Sequence, residues 1–330
     1  MRALAENALQ KDPGASLVLL LRADGATHVA GAGAEIHSRA PDGDTLFEIG
    51  SITKVFTATL LASAEQRGEV ATDATLGSIW PQALGDCDAG SIRLRDLARH
   101  KSGLPRLPSN FKPRNSADPY ADYDVPMATA ALLAWKRPAS PKFDYSNFGA
   151  GILGAALAHV ASKDYATLMT ERIAEPLGMR STSVDIPETS RARLAQPRVA
   201  KRPFRTWSFQ CLAGAGALKS TANDLLRFLG AQESGAAPEL ARAFASLRSS
   251  WTPADGQLRI GSGWLASEVA GHDRPLVWHN GGTGGSSSFC GFIPGCGIAV
   301  VVLVNCATGV VDVDALGSAL VKLALAPPTR

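Results

Sequence analysis

The chain carries its strand-like apolar runs at its two ends and its helical patterns between them. Near the N-terminus, residues 15–21 are almost continuously apolar and lead into Arg22, Asp24 and Gly25. A second β-like run, residues 27–30, follows at once, so the segment reads as a hairpin. At the other end, residues 276–279, 286–293 and the strongly β-branched 298–305 have strand character, with Pro294-Gly295-Cys296-Gly297 as a turn. Strands at both ends with helices between predict an α+β fold: a mainly antiparallel sheet flanked by helices, with an inserted helical region. The expected division is a discontinuous sheet domain of residues 1–75 and 255–330, and a mainly helical domain of residues 76–254. No internal repeat is visible.

Between these ends, residues 45–49 form one more short extended run, and Gly50 breaks it. Residues 51–67 then read as a helix: Ile52, Val55, Phe56 and Leu60 recur at helical spacing, and Gly68 stands just past the end. Few charges appear before Glu65, so this helix is expected to be buried on most sides. Further helices are expected over residues 93–100, 127–135, 148–160, 165–175 and 314–325. Another is capped by residues 220–224 and runs to about residue 229. Residues 104–126, rich in Pro, Asn and Asp, are expected to be irregular.

Composition excludes more than it assigns. The 330 residues are 45% hydrophobic and 19% charged, an ordinary globular balance for one large domain or two smaller ones. A net charge of +3 is too small to imply nucleic acid, and the basic stretch 201–205 reads as a solvated loop. No run reaches membrane-spanning length, and no export signal precedes the first strand. As written the chain is expected in the cytoplasm, or in the periplasm or outside if a leader was trimmed. The five cysteines are irregularly spaced, with no CxxC, and the six histidines form no HxxxH or HxH pair. Neither a disulfide framework nor a structural metal is expected, and no cofactor is called for. Cys290 and Cys306 lie in apolar stretches and read as core residues.

Three short motifs bear chemistry. In Ser51-Ile52-Thr53-Lys54, serine and lysine three apart on a helix share one face. A serine hydroxyl needs an adjacent base, and burial lowers the pKa of a lysine enough to make it one. At a helix start the serine also stands near free backbone N–H groups. In Tyr145-Ser146-Asn147, a tyrosinate beside an ammonium could act as base and the phenol could later protonate a leaving group. Asn147 could hold a substrate amide or the lysine. In His279-Asn280-Gly281-Gly282-Thr283-Gly284-Gly285, glycines next to a strand let a substrate backbone approach and pair. An N–H from this strand could complete an oxyanion hole with that of Ser51. Each motif by itself is also compatible with a surface helix, a polar turn or a flexible glycine loop.

Together and in this order, the motifs resemble the penicillin-recognising serine hydrolases: class C β-lactamases, D-alanyl-D-alanine peptidases and related esterases. Tyr-Ser-Asn as the middle element points to the class C-like branch. Phe47 to Ser51, Leu94 to Pro105, Glu175 to Met179, residues 214–229 and Gly261 to Trp264 also look familial, so the resemblance covers nearly the whole chain. It implies Ser51 as nucleophile, with Lys54 and Tyr145 sharing general-base and general-acid work. It implies substrate binding by Asn147, His279, Asn280, Gly281 and Gly282, and an oxyanion hole from the Ser51 and Gly282 N–H groups. His279 stands where many relatives have lysine. Trp207 and Phe209 are candidates for the acyl pocket or for the core.

The function expected first is hydrolysis of β-lactam or D-amino-acid amide bonds through an acyl-enzyme on Ser51. The alternatives are a carboxylic-ester hydrolase with the same machinery and a penicillin sensor that acylates without turnover. The partner is a small-molecule or peptide substrate. There is no GxSxG, Walker A or GxGxxG to support another class.

Overall fold

The apolar runs from the two ends meet in one sheet. In the computed structural model, which describes residues 1–234 and 238–326, β1 (Ser16–Ala23) and β2 (Ala26–Gly33) form the predicted hairpin. Its tight turn places Asp24 and Gly25 at φ of 50° and 77°, the left-handed pair that matches the twist of the strands. The short strands β3 (Phe47–Glu48), β4 (Arg198–Val199), β5 (Arg202–Pro203) and β6 (Lys219–Ser220) make two small pairs, β3 with β6 and β4 with β5. The C-terminal strands are β7 (Thr252–Pro253), β8 (Arg259–Ile260), β9 (Leu265–Ser267), β10 (Leu276–Gly282), β11 (Ser287–Ile293) and β12 (Ile298–Val304). With β1 and β2 they build an eight-stranded sheet in the order β2-β1-β12-β11-β10-β9-β8-β7. Every pairing in it is antiparallel.

The sheet is apolar on both faces, which explains why its central strands show no polar alternation. Leu17, Leu19, Leu21, Val300, Val302 and Val304 point one way, and Val18, Leu20, Val301 and Leu303 the other. The first face is covered by α1 (Arg2–Ala8) and by the C-terminal helix Val313–Leu325, whose Leu316, Leu320 and Val321 pack on it. The second face shares its core with the remaining helices: α2 (Thr53–Gln66), α3 (Leu76–Ile79), α4 (Leu94–Ala98), α5 (Val125–Ala134), α6 (Asn147–Val160), α7 (Tyr165–Met169), α8 (Ala222–Ser234) and α9 (Pro238–Leu247). The C-terminal helix is α10.

Helices α1, α3 and α9 and the short strands β4 to β9 are not foreseen in the sequence, and three expected elements take another form. The helix after Gly50 starts as a 3₁₀ turn, Gly50–Ile52, before α2. The helix expected over residues 165–175 is α7 followed by a π-type turn, Thr170–Ala174. Residues 280–282 continue β10 as regular strand, and only residues 283–286, with Gly284 and Gly285, turn into β11. Among the described residues no helix is long and apolar enough to cross a membrane.

α2 is the central helix. Every residue from Thr53 to Ala64 is buried. Its threonines stay satisfied by bonding backbone: Thr57 donates to the Gly214 carbonyl at 2.8 Å and Thr59 to that of Val55 at 2.8 Å. α6 lies against the segment 212–214, where its glycines allow close packing: a Cβ at Gly154 would stand 2.9 Å from the Gly214 Cα.

Candidate active site

The site forms where the start of α2, the start of α6 and the end of β10 converge. Ser51 sits on the 3₁₀ turn and Lys54 in the first turn of α2. Gly50 takes φ +48°, open to glycine at little cost, and a Cβ there would lie 2.7 Å from the backbone of Gly282. A Cβ on Gly281 would lie 2.1 Å from the Ile49 carbonyl oxygen and 2.9 Å from the Ser51 nitrogen. These two glycines let β10 lie directly against the backbone of the serine turn. Ser288 on β11 ties the same turn down by donating to the Ile49 carbonyl at 2.8 Å.

Lys54 Nζ is 2.9 Å from Ser51 Oγ and donates to the Ala215 carbonyl at 2.7 Å. The side chain is 3% exposed. Burial, helped by the charge of Arg106, holds its pKa well below the usual lysine range. The Ala215 carbonyl takes one N–H, so a neutral amine keeps its lone pair for the Ser51 hydroxyl.

Tyr145 precedes α6. Ser146 caps that helix, accepting from the Gly149 N–H at 2.8 Å and donating to the Pro105 carbonyl at 2.7 Å. The Tyr145 phenol stands beside Ser51, and Lys54 Nζ lies 4.9 Å from the centre of its ring. Burial pushes the phenol pKa up, against the lowering effects of Ser51 and Arg106. Tyr145 is therefore a neutral phenol at rest, and the tyrosinate considered from the sequence is the state that the site disfavours. His100 packs on the ring at 4.5 Å, and its Nδ1 accepts from the Ser146 N–H at 3.1 Å. Burial, then the Lys54 charge, keeps His100 neutral as well.

His279 faces this cluster from β10. Its ring centre is 6.2 Å from that of Tyr145, and the side chain is 1% exposed. Burial first, then Lys54, lowers its pKa to about 3. Nδ1 contacts the Asn280 carbonyl, which can only accept, so Nδ1 carries the proton and Nε2 offers a lone pair. That Nε2 is buried without a partner among the described residues. His279 is thus a neutral acceptor and not a cation.

Asn147, the first residue of α6, donates to the Tyr120 hydroxyl at 3.0 Å, and its Oδ1 is buried with no partner among the described residues. It lines a narrow cleft with Ser51, Tyr120, Trp207, Phe209 and Gly282. Asn280 goes the other way. Strand alternation points its side chain to the opposite face, where it donates to the Asp314 carboxylate at 2.9 Å. Of the residues expected to bind substrate, Asn280 is the one whose side chain is kept from the cleft.

Trp207 and Phe209 resolve as cleft wall that also packs on the core. Phe209 stacks on Tyr120 at 4.6 Å. Their loop is held from three sides. Glu48 accepts from the Trp207 N–H at 2.6 Å and from the Thr283 hydroxyl at 2.6 Å. Lys219 donates to the Trp207 carbonyl at 3.0 Å, and Asp118 accepts from the Ser208 N–H at 2.8 Å. Tyr120, Arg106 and the Ala215 carbonyl were not singled out from the sequence. They come from loops and turns with no periodicity, and nothing local marks them as neighbours of Ser51.

A family model described as "Beta-lactamase" matches residues 1–324. A β-lactamase from Pseudomonas fluorescens is 25% identical over 296 residues, covering 79% of this chain and 80% of that protein. The solved class C β-lactamase from Rhodobacter sphaeroides is 26% identical with a TM-score of 0.86, over 98% of this chain and 99% of that one. A D-alanine carboxypeptidase from Burkholderia cenocepacia is 25% identical with a TM-score of 0.82, over 97% and 96%. The chain belongs to the β-lactamase family, within the β-lactamase and transpeptidase-like superfamily of serine hydrolases.

Proposed function

We propose that this protein hydrolyses acyl compounds through a covalent acyl-enzyme on Ser51. The observation that carries the reading is the buried Lys54 amine, 2.9 Å from Ser51 Oγ and depressed in pKa. Neutral Lys54 takes the Ser51 proton as Oγ attacks the acyl carbon. The oxyanion forms against the N–H groups of Ser51 and Gly282. Tyr145 gives its phenol proton to the leaving group, the old acyl bond breaks, and the acyl-enzyme remains. Water then loses a proton to the Tyr145 phenolate and adds to the acyl carbon. Ser51 Oγ departs with the proton held by Lys54, releasing the acid and restoring both side chains.

Two substrate classes suit this machinery. β-Lactams and D-amino-acid amides are supported by the names of the relatives. Carboxylic esters are favoured by His279, because a neutral lone-pair acceptor cannot serve as the fixed cation that a β-lactam or peptide carboxylate would meet there. On the geometry, esters come first.

The test is a parallel assay of a short-chain p-nitrophenyl ester, a chromogenic cephalosporin and a D-Ala-D-Ala peptide, with intact-mass measurement, on wild type and Ser51→Ala. Ester turnover with an adduct that Ser51→Ala lacks is expected. Turnover of the cephalosporin or peptide with an inert ester would reverse the substrate order. A wild type with no adduct and no turnover would reject the acyl-enzyme.

A further inference from the structure

We propose that Arg106 is the anion-recognising residue of the Ser51 cleft, and that the preferred substrates carry a carboxylate on their acyl part. The inference rests on the acyl-enzyme reading above and adds a substrate class to it.

Arg106 follows Pro105 in the loop between α4 and α5. Its carbonyl accepts from the N–H groups of Asn147 at 3.0 Å and Phe148 at 3.2 Å, which pins the loop to the start of α6. Its side chain is exposed, and the guanidinium carbon lies 5.2 Å from the centre of the Tyr145 ring. A cation over a tyrosine ring is held in place by the ring's electron density. Among the described residues no carboxylate or carbonyl accepts from the guanidinium, so its N–H fork remains free.

The charge reaches the site. Arg106 contributes to the shifts of Lys54, His100, Tyr120 and Tyr145, which surround Ser51. The other basic groups nearby are differently placed. Lys54 is depressed by burial, and His279 and His100 are neutral. Lys219 is engaged with two carbonyls and faces Glu48. Arg106 alone among them combines a fixed charge with open donors. Its backbone is bound to Asn147 and its guanidinium lies over Tyr145, beyond the residues that line the cleft itself, so the anion it meets belongs to the part of the substrate that extends past the Asn147 wall. A guanidinium fork matches a carboxylate with two parallel hydrogen bonds, which a lysine in its place would not reproduce.

The experiment compares kcat/KM for mono-p-nitrophenyl glutarate and p-nitrophenyl pentanoate, whose acyl chains match in length and differ in the terminal carboxylate. Wild type is expected to favour the glutarate by roughly tenfold or more, mainly through KM, with the preference shrinking at high salt. Arg106→Gln should lower the ratio of the two values by about tenfold, and Arg106→Lys should keep part of it. A merely structural role on Tyr145 would lower both values and leave their ratio, and that result overturns the inference. So does a wild type with no preference for the glutarate. Failure of both esters together with no adduct on Ser51 would instead reject the acyl-enzyme reading, and this inference with it.

Discussion

Lys54 is fixed between a hydroxyl and a carbonyl, in a helix buried on all sides from Thr53 to Ala64. A depressed lysine pKa means that the folded protein holds fewer protons than the unfolded chain over the range between the two pKa values. The amine that can accept from Ser51 therefore becomes more populated as pH rises. The acylation rate is expected to climb with pH until Lys54 is fully deprotonated and then level off; a burst-phase profile that is flat or falls with pH would contradict the assignment. Lys54→Met should lower kcat/KM by roughly 10²–10⁴-fold, the range for loss of a positioned base. The same substitution removes a desolvated amine and should raise the melting temperature, a gain on the order of 1 kcal/mol. A variant that is both inactive and less stable would show that Lys54 supports the fold more than it burdens it. At Tyr145, a phenol held neutral should act as an acid, so Tyr145→Phe should slow amide or ester cleavage most where the leaving group is poorly acidic. Comparing phenyl and alkyl esters measures this.

The elements impose a different constraint, because the site depends on backbones that touch. β10 runs against the serine turn with no room for a side chain at Gly281. Gly281→Ala would place its methyl on the Ile49 carbonyl and beside the Ser51 nitrogen, forcing the strand and the turn apart. A loss of at least ~2 kcal/mol is expected by urea unfolding, the size of an overpacked core site, together with loss of acylation. An acylating Gly281→Ala of wild-type stability would refute the close approach. At the start of α6, Ser146 both caps the helix and bonds the Pro105 carbonyl next to Arg106. Ser146→Ala is expected to cost about 1–2 kcal/mol and to weaken the Asn147 side of the cleft. A thermal melt and KM measured together would detect both effects.

Across the whole molecule, the site is a collection of ionisable groups held in a low-dielectric region. His100 and His279 have folded pKa values below the ordinary 6.5, His279 at about 3. In the window below 6.5 the unfolded chain binds protons that the native state refuses, so stability is lost as pH falls. Each histidine can contribute up to about 1.4 kcal/mol per pH unit there. Glu48, raised above its usual value by burial, acts in the opposite sense, because the native state holds its proton more tightly. Asp314, also raised, acts with Glu48, whereas Glu69 and Asp164, held below their usual values, act with the histidines; four groups against two predict a net fall, readable by urea unfolding at a series of pH values from neutral to acid. Stability that is unchanged or rising across that series would show that the histidines are not buried neutral.

Local patterning revealed β1, β2, β10, β11, β12 and the longer central helices, because period and punctuation are local properties, but the two- and three-residue strands β7 to β9 and helices α1, α3 and α9 were too short or too weakly patterned to read. The unbroken apolar runs of β1 and β12 marked strands, whose cover on both faces came only with the fold, and the charge-poor stretch after Ser51 marked a helix surrounded by protein. Ser51, Lys54, Tyr145 and His279 were legible for the same reason: each sits in a short motif whose spacing carries meaning. What the tertiary structure decided was the state and company of those residues. Burial decides that Lys54 sheds its proton easily while Tyr145 keeps its own, and residue type alone does not distinguish them. The alternation of β10, set by its register with β11, decides that His279 faces Tyr145 and Asn280 turns away to Asp314. The meeting of the loop bearing Arg106 with the start of α6 decides where a fixed positive charge stands. Apart from the β10–β11 register, those outcomes depend on contacts such as Asn280 with Asp314, 34 residues apart, and Lys54 with Ala215, 161 apart, and dielectric and proximity at that range arise only when the chain is folded.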